Sequence, residues 1–222
     1  MMQQRARQTT PLARTEPSPA GSVWLSVVGI GDDGWEGLSP AAREAIHAAD
    51  LVVGGDRHLA LIPAGAYETR AWTSPIRDAV ADLASEKPRQ VCILASGNPL
   101  LFGVGTLVAK AFPNGQVRIM PHLSAFSLAC ARLHWPETEA KLISLCGRAK
   151  ERLNAHLFDG ARLIVLSADG KTPVEVAALL CERGFEQSTV HVLEHLGGAG
   201  ETVHRFDAAA LGNFAEFADL NT

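Results

Sequence analysis

The sequence predicts an α/β fold, with two α/β domains and a cleft between them. Three observations carry this. Val91 to Ala95 is an apolar run too short for a helix, as a strand buried on both faces of a parallel sheet reads, and Val117 to Met120 is the next strand. Segments of helical period follow such runs: Val104, Leu107, Val108 and Ala111 fall at i, i+3, i+4 and i+7. The alternation then begins again beyond His134-Trp135-Pro136 with different details. The expected division is a disordered tail over 1–21, a first domain over 22–135 and a second over 136–222.

The chain has 222 residues, 47% of them hydrophobic, which suffices for a sizeable core. No apolar run approaches the length of a membrane span. The net charge of −4 argues against a nucleic-acid binder with a broad basic surface. Cys92, Cys130, Cys146 and Cys181 form no C-x-x-C pair and lie in apolar segments. They read as buried, reduced thiols of a cytoplasmic protein, with no metal site or disulfide implied.

Taken in order, Met1 to Gly21 is rich in Pro, Gln, Thr and Arg and shows no apolar period. Val23 to Val28 is the first strand, and Gly29-Ile30-Gly31-Asp32-Asp33-Gly34 follows it. Ser39-Pro40 opens a helix, with Ser as N-cap and Ala42, Ala45, Ile46 and Ala49 inward. The glycine loop looks like a dinucleotide fingerprint. However, Ser39 starts the helix five residues after the last glycine, and two aspartates would repel a pyrophosphate. A nicotinamide oxidoreductase is therefore a competing reading that this loop argues against.

Leu51 to Val53 is a second strand ending at Gly54-Gly55, and Ser74-Pro75 is expected to cap a helix with Ile76, Ala79, Val80 and Leu83 inward. Val91 to Ala95 is the central strand, broken by the turn residues Ser96-Gly97-Asn98-Pro99. This loop lies at the carboxyl end of a strand, where open α/β sheets bind ligands. Gly97 would let a ligand approach the backbone without meeting a Cβ. Ser124 is a natural N-cap for a helix over Ala125 to Leu133. In the second half the expected elements are strands at Leu142–Cys146, Arg162–Leu166 and Thr189–Leu193. Helical segments are expected at Glu151–Phe158, from Thr172-Pro173 to Gly184, and at Asp207–Leu211.

Six motifs occur in one order: Val28-Gly29-Ile30-Gly31, Ala49 to Gly55, Ala95 to Pro99, Pro121-x-x-Ser124-Ala125, Ser144 to Arg148, and Glu194 to Gly197. From about Trp24 onward the chain resembles the tetrapyrrole methylases, class III S-adenosylmethionine (SAM) methyltransferases. Within them it resembles the corrin-pathway branch that methylates the C5 position. Asp32-Asp33 departs from the Gly-Pro-Gly of most members and is similar to that branch. Asn98 stands where the family has Asp in Ser-Gly-Asp-Pro, which puts in doubt any role needing a charge there. Cys146 stands where many members have His.

The resemblance implies the tetrapyrrole methylase fold, with SAM in the interdomain cleft and S-adenosyl-L-homocysteine as product. It assigns Ser96, Gly97, Asn98, Leu101, Phe102, Ser124, Ala125, Ser167, Ala168 and Leu196 to the cofactor. Gly29, Gly31 and Asp32 would face the tetrapyrrole, and Arg148 would hold its carboxylate arms. Asp33 and His195 are the candidate bases, with Asp32 beside them. The resemblance also implies a homodimer and a covalent C-terminal methyltransferase/decarboxylase domain. Phe214 to Thr222 would open a last strand of the second domain that the sequence carries only in part. Another tetrapyrrole, RNA or protein substrate remains an alternative within the fold.

Overall fold

The computed structural model describes residues 23–212 and 217–222. The expected disordered tail lies outside the described residues. In the first half, β1 (Leu25–Ile30) leads through α1 (Gly34–Gly37) and α2 (Pro40–His47) to β2 (Leu51–Gly54). Next come α3 (Asp56–Ala60), β3 (Glu68–Ala71), α4 (Ile76–Asp82), β4 (Val91–Ser96), α5 (Gly105–Ala111) and β5 (Val117–Met120). The five strands form one sheet in the order β3-β2-β4-β1-β5, and every pairing is parallel.

The apolar runs of β1 and β4 occupy the middle of this sheet because both of their faces must be covered. Val91, Ile93 and Ala95 point to one core, with Val80, Leu83 and Val108 over them. Cys92 and Leu94 point to the other, under Ala42 and Ile46. The period of two divides a single strand between two cores. Each fully buried Leu or Ile there contributes roughly 1.5–3 kcal/mol.

The Ser39 hydroxyl accepts the Ala42 N–H at 3.2 Å, with Pro40 in the first helical position. Ser124 likewise caps α6 (Ala125–Leu133) by accepting the Ser127 N–H at 3.1 Å. His134, in the left-handed region at φ 54°, ends that helix. α6 buries Ala129 and Cys130 against Ile164, Leu193 and Leu196, so it packs the two halves together.

The second half contains β6 (Lys141–Ser144), a 3₁₀ run over Lys150–His156, β7 (Leu163–Leu166), α7 (Thr172–Glu182), β8 (Thr189–Glu194), β9 (Thr202–Asp207) and α8 (Ala208–Leu211). β6 and β7 pair in parallel and β8 and β9 antiparallel, as two separate ladders. A cavity of about 150 Å³ lies between them, walled by residues such as Leu163, Val165, Val190 and Val192. Leu220 to Thr222 run beside β8, where Thr222 and Leu193 exchange both backbone bonds.

Several expectations need correction. Ser74 does not cap α4; Pro75 holds the cap position without a side-chain bond, and Ile76 is exposed. Lys171, not Thr172, flanks α7; Asp169 accepts the Lys171 and Thr172 N–H groups and does the capping. β3 and β9 were not expected. β3 is exposed along its length, so it has no apolar pattern to read. It is an edge strand, with Glu68 and Arg70 of β3 tied to Glu86 and Arg89 by ion pairs. Cys146 and Cys181 are exposed, unlike Cys92 and Cys130, because they face away from the cores.

Candidate active site

The carboxyl ends of β1 and β4 open onto a cleft of about 210 Å³, closed on its far side by the second half. The central loop is held rigidly. Gly97 donates its N–H to Ile30 at 3.0 Å and its carbonyl accepts the His122 N–H at 3.1 Å. A Cβ on Gly29 would stand 1.9 Å from the Gly97 carbonyl oxygen, so this approach requires glycine. Gly97 itself has φ +50°, and a Cβ there would stand 2.9 Å from the Leu123 carbonyl oxygen. Its freedom therefore serves the packing of two loops, and Gly97 also lines the cleft. The Asn98 Oδ1 accepts the Leu100 N–H at 3.0 Å, a turn that an amide oxygen serves as well as a carboxylate.

Of the residues assigned to the cofactor, Ser96, Gly97, Asn98, Leu101, Ser124, Ala125, Ser167 and Leu196 line the cleft. Phe102 and Ala168 do not; Phe102 is half exposed, and the Ala168 N–H bonds the Thr172 hydroxyl at 3.1 Å. Of the residues assigned to the tetrapyrrole, Gly31 and Asp32 line the cleft. Gly29 is buried beneath it, and Arg148 lies outside its wall. Arg148 donates to the Ser144 hydroxyl at 3.2 Å and the Cys146 carbonyl at 3.1 Å, and its guanidinium lies 5.2 Å from the Phe102 ring centre.

The acidic pair is divided between two partners. Asp33 meets His122 Nε2 at 3.1 Å. Asp32 Oδ2 meets His195 Nδ1 at 3.0 Å and its Oδ1 accepts from Arg57 at 3.2 Å. His195 reaches over from the turn between β8 and β9, with φ +52°, a strained value for a residue with a Cβ. Gly198 of the same turn rests on Asp32; a Cβ there would stand 2.4 Å from Oδ2. One carboxylate thus joins the two halves at the mouth of the cleft.

Sequence reasoning missed Arg57 and its pairing with His58. Both residues follow Gly54-Gly55 at the carboxyl end of β2, and β2 neighbours β4, which brings α3 beside Ser96. His58 Nε2 lies 2.9 Å from the Ser96 hydroxyl and 3.2 Å from Arg57 Nη2. Burial, and secondarily the Arg57 charge, lower its pKa to about 4. The imidazole is therefore neutral and Nε2 is an acceptor. Basic residues after a glycine pair at a strand's carboxyl end were the available signal.

Leu101, Leu123, Leu128, Leu166 and Leu196 make much of the lining apolar, and Asp32 and Asp219 share it. Among the described lining residues Arg57 is the one basic side chain. Such a donor set suits a purine and a sulfonium-bearing amino acid and does not suit a pyrophosphate. No described group of three His, Cys, Asp or Glu could hold a metal.

The family model described as Tetrapyrrole (Corrin/Porphyrin) Methylases matches residues 25–212. This chain belongs to that family. The methylase is 41% identical over 193 residues to the precorrin-6Y C(5,15)-methyltransferase [decarboxylating] of Sinorhizobium sp, covering 86% of this chain and 46% of the relative. The chain thus spans about half the length of that relative. It is 34% identical over 190 residues to the cobalt-precorrin-7 C(5)-methyltransferase of Salmonella typhimurium, covering 84% of this chain and 92% of the relative. The methylase also superposes on the uroporphyrin-III C-methyltransferase of Thermus thermophilus, solved in complex with S-adenosyl homocysteine. The TM-score is 0.63 at 20% identity, covering 85% of each chain.

Proposed function

We propose that this methylase transfers the methyl group of SAM to C5 of precorrin-6B, a step of cobalamin biosynthesis. One observation carries the choice of C5. The C(5,15) relative is matched over 46% of its length, whereas the C(5) relative is matched over 92% of its own. The part common to both names is the part this chain shares. A covalent partner domain carrying the C15 and decarboxylating chemistry belongs to the same proposal, as do a division near Trp135–Pro136, a cytoplasmic location and a homodimer. Light scattering at micromolar concentration tests the homodimer, and a monomeric mass overturns it.

SAM supplies an electrophilic methyl group that a nucleophilic macrocycle carbon can displace in line. The protein's part is mainly to hold both reactants, an effect worth up to about 7–11 kcal/mol. In the proposed arrangement, Ser96, Gly97, Asn98, Leu101, Ser124, Ala125, Ser167 and Leu196 bind the cofactor. Phe102 and Ala168 support that wall from outside. Gly31 and Asp32 border the macrocycle, Gly29 supports their loop, and Arg148 meets a carboxylate at the rim.

His195 is the proposed proton acceptor. Asp32 takes its Nδ1–H, which leaves Nε2 as the basic nitrogen. Asp33, held by His122, is the second candidate. The test is turnover of labelled SAM with precorrin-6B, uroporphyrinogen and ribosomal RNA in parallel. Label entering precorrin-6B alone supports the proposal; label entering either of the others instead overturns it.

A further inference from the structure

We propose that Arg57 binds a carboxylate arm of the macrocycle and that His58 positions it. This rests on the C5-methyltransferase reading above. Arg57 lines the cleft between Asp32 and Ser96, and 40% of its side chain is exposed.

Its contacts differ from those of the structural arginines. Arg132 closes both teeth of its fork on Glu201, through Nε and Nη2. Arg70 and Arg89 are each shared by Glu68 and Glu86. Arg57 instead makes single, long contacts: Nη1 to Asp32 at 3.2 Å, and Nη2 to His58 at 3.2 Å and to Ser96 at 3.4 Å. Two of these three partners are uncharged acceptors, which orient a guanidinium without neutralising it. The third, Asp32, divides its charge between Arg57 and His195.

An arriving carboxylate can engage the fork through two teeth, a stronger charge-assisted geometry than any contact Arg57 makes in the free protein. Asp32 then keeps His195. The acetate and propionate arms of a corrin precursor are the carboxylates available. His58 has the ring position and neutrality this arrangement needs, and its Nδ1 is buried without a partner among the described residues. The ring thus serves Arg57 and Ser96 through Nε2.

The experiment compares wild type, R57Q, R57K, H58F and H58Q. It measures precorrin-6B affinity by absorbance titration, SAM affinity by calorimetry, and KM and kcat separately. Retained SAM binding serves as the folding control. R57Q should weaken precorrin-6B roughly 10- to 100-fold, the loss of a charged hydrogen-bonded pair, and leave SAM within about twofold. R57K, which keeps the charge and loses the fork, should fall between. H58F should raise KM for the macrocycle, and H58Q, which keeps an acceptor, should restore it. Unchanged macrocycle affinity in R57Q, or equal loss of both ligands in a variant that unfolds at the wild-type temperature, overturns the assignment of Arg57. A KM in H58F equal to wild type overturns that of His58. Wild type that leaves precorrin-6B unmethylated removes the C5 reading itself, whereas wild-type turnover with R57Q unimpaired removes this inference alone.

Discussion

The two halves of the molecule use the same alternation of strand and helix, but they differ in where their loops are closely packed. In the first half a Cβ on Gly29 would meet the Gly97 carbonyl oxygen at 1.9 Å, and β1 and β4 are buried on both faces. In the second half a Cβ on Gly170 or Gly198 would likewise collide, with the Phe217 carbonyl oxygen at 2.1 Å or with Asp32 Oδ2 at 2.4 Å, but on Gly147, Gly160 or Gly184 it would meet nothing within 4 Å, and the strands form two separate ladders. The difference assigns the roles. A tightly determined sheet edge fixes Asp32, Arg57, His58 and Ser96 relative to one another, as a reacting constellation requires. The second half supplies turns that lean over that edge, His195 among them.

The largest expected effect tests the first half. Gly29→Val should cost roughly 3 kcal/mol or more, because backbone stands where the side chain must go. Gly147→Ala should cost only about 1–2 kcal/mol, the strain of its φ of +64°. Thermal unfolding checks the pair, and equal losses would erase the contrast between the halves. Next is His195→Gln, which should lower kcat about 10²- to 10⁴-fold with little change in SAM affinity, as removal of a base does. An unchanged pH–rate profile in that variant would take the base away from the second half.

A third prediction concerns acid. His58 is neutral when folded, with its pKa lowered to about 4 from 6.5. Between those values the unfolded chain binds the extra proton. The stability His58 contributes is therefore complete above pH 6.5 and is lost as the pH falls toward 4, on the order of 3 kcal/mol at most. The unfolding midpoint of wild type should fall more steeply than that of His58→Gln across this window. Parallel curves would contradict it. The smallest effect is expected of Arg148→Ala, whose guanidinium lies on Phe102 outside the cleft wall. It should weaken the macrocycle by no more than about two- to fivefold and SAM hardly at all. A loss as large as that of Arg57→Gln would move carboxylate recognition to the second half.

These positions also show what the sequence could reveal. β4 and α6 were legible because their signals are local: an apolar run, the break at Gly97-Asn98-Pro99, and Ser124 before a helical pattern. β3 was not, since an exposed edge strand held by Glu68 and Arg70 has no apolar face to read. Eight of the ten residues assigned to the cofactor reach the cleft, since their motifs end strands or begin helices at one sheet edge. Arg57 and its pairing with His58 escaped notice because their proximity to Ser96 follows from strand order, with β2 beside β4, and strand order is not written in any local pattern. The packing need for Gly97 was hidden for the same reason, since Leu123, the neighbour that requires it, lies across the sheet edge on the segment after β5.

The central claim is methylation at C5 in the cleft between the two halves. The most direct measurement is incubation with precorrin-6B and SAM labelled with ¹³C in its methyl group, followed by NMR location of the new carbon. The account predicts one labelled methyl at C5, formed by wild type and lost together with macrocycle affinity in Arg57→Gln. A label at C15 or at any other ring position would contradict it.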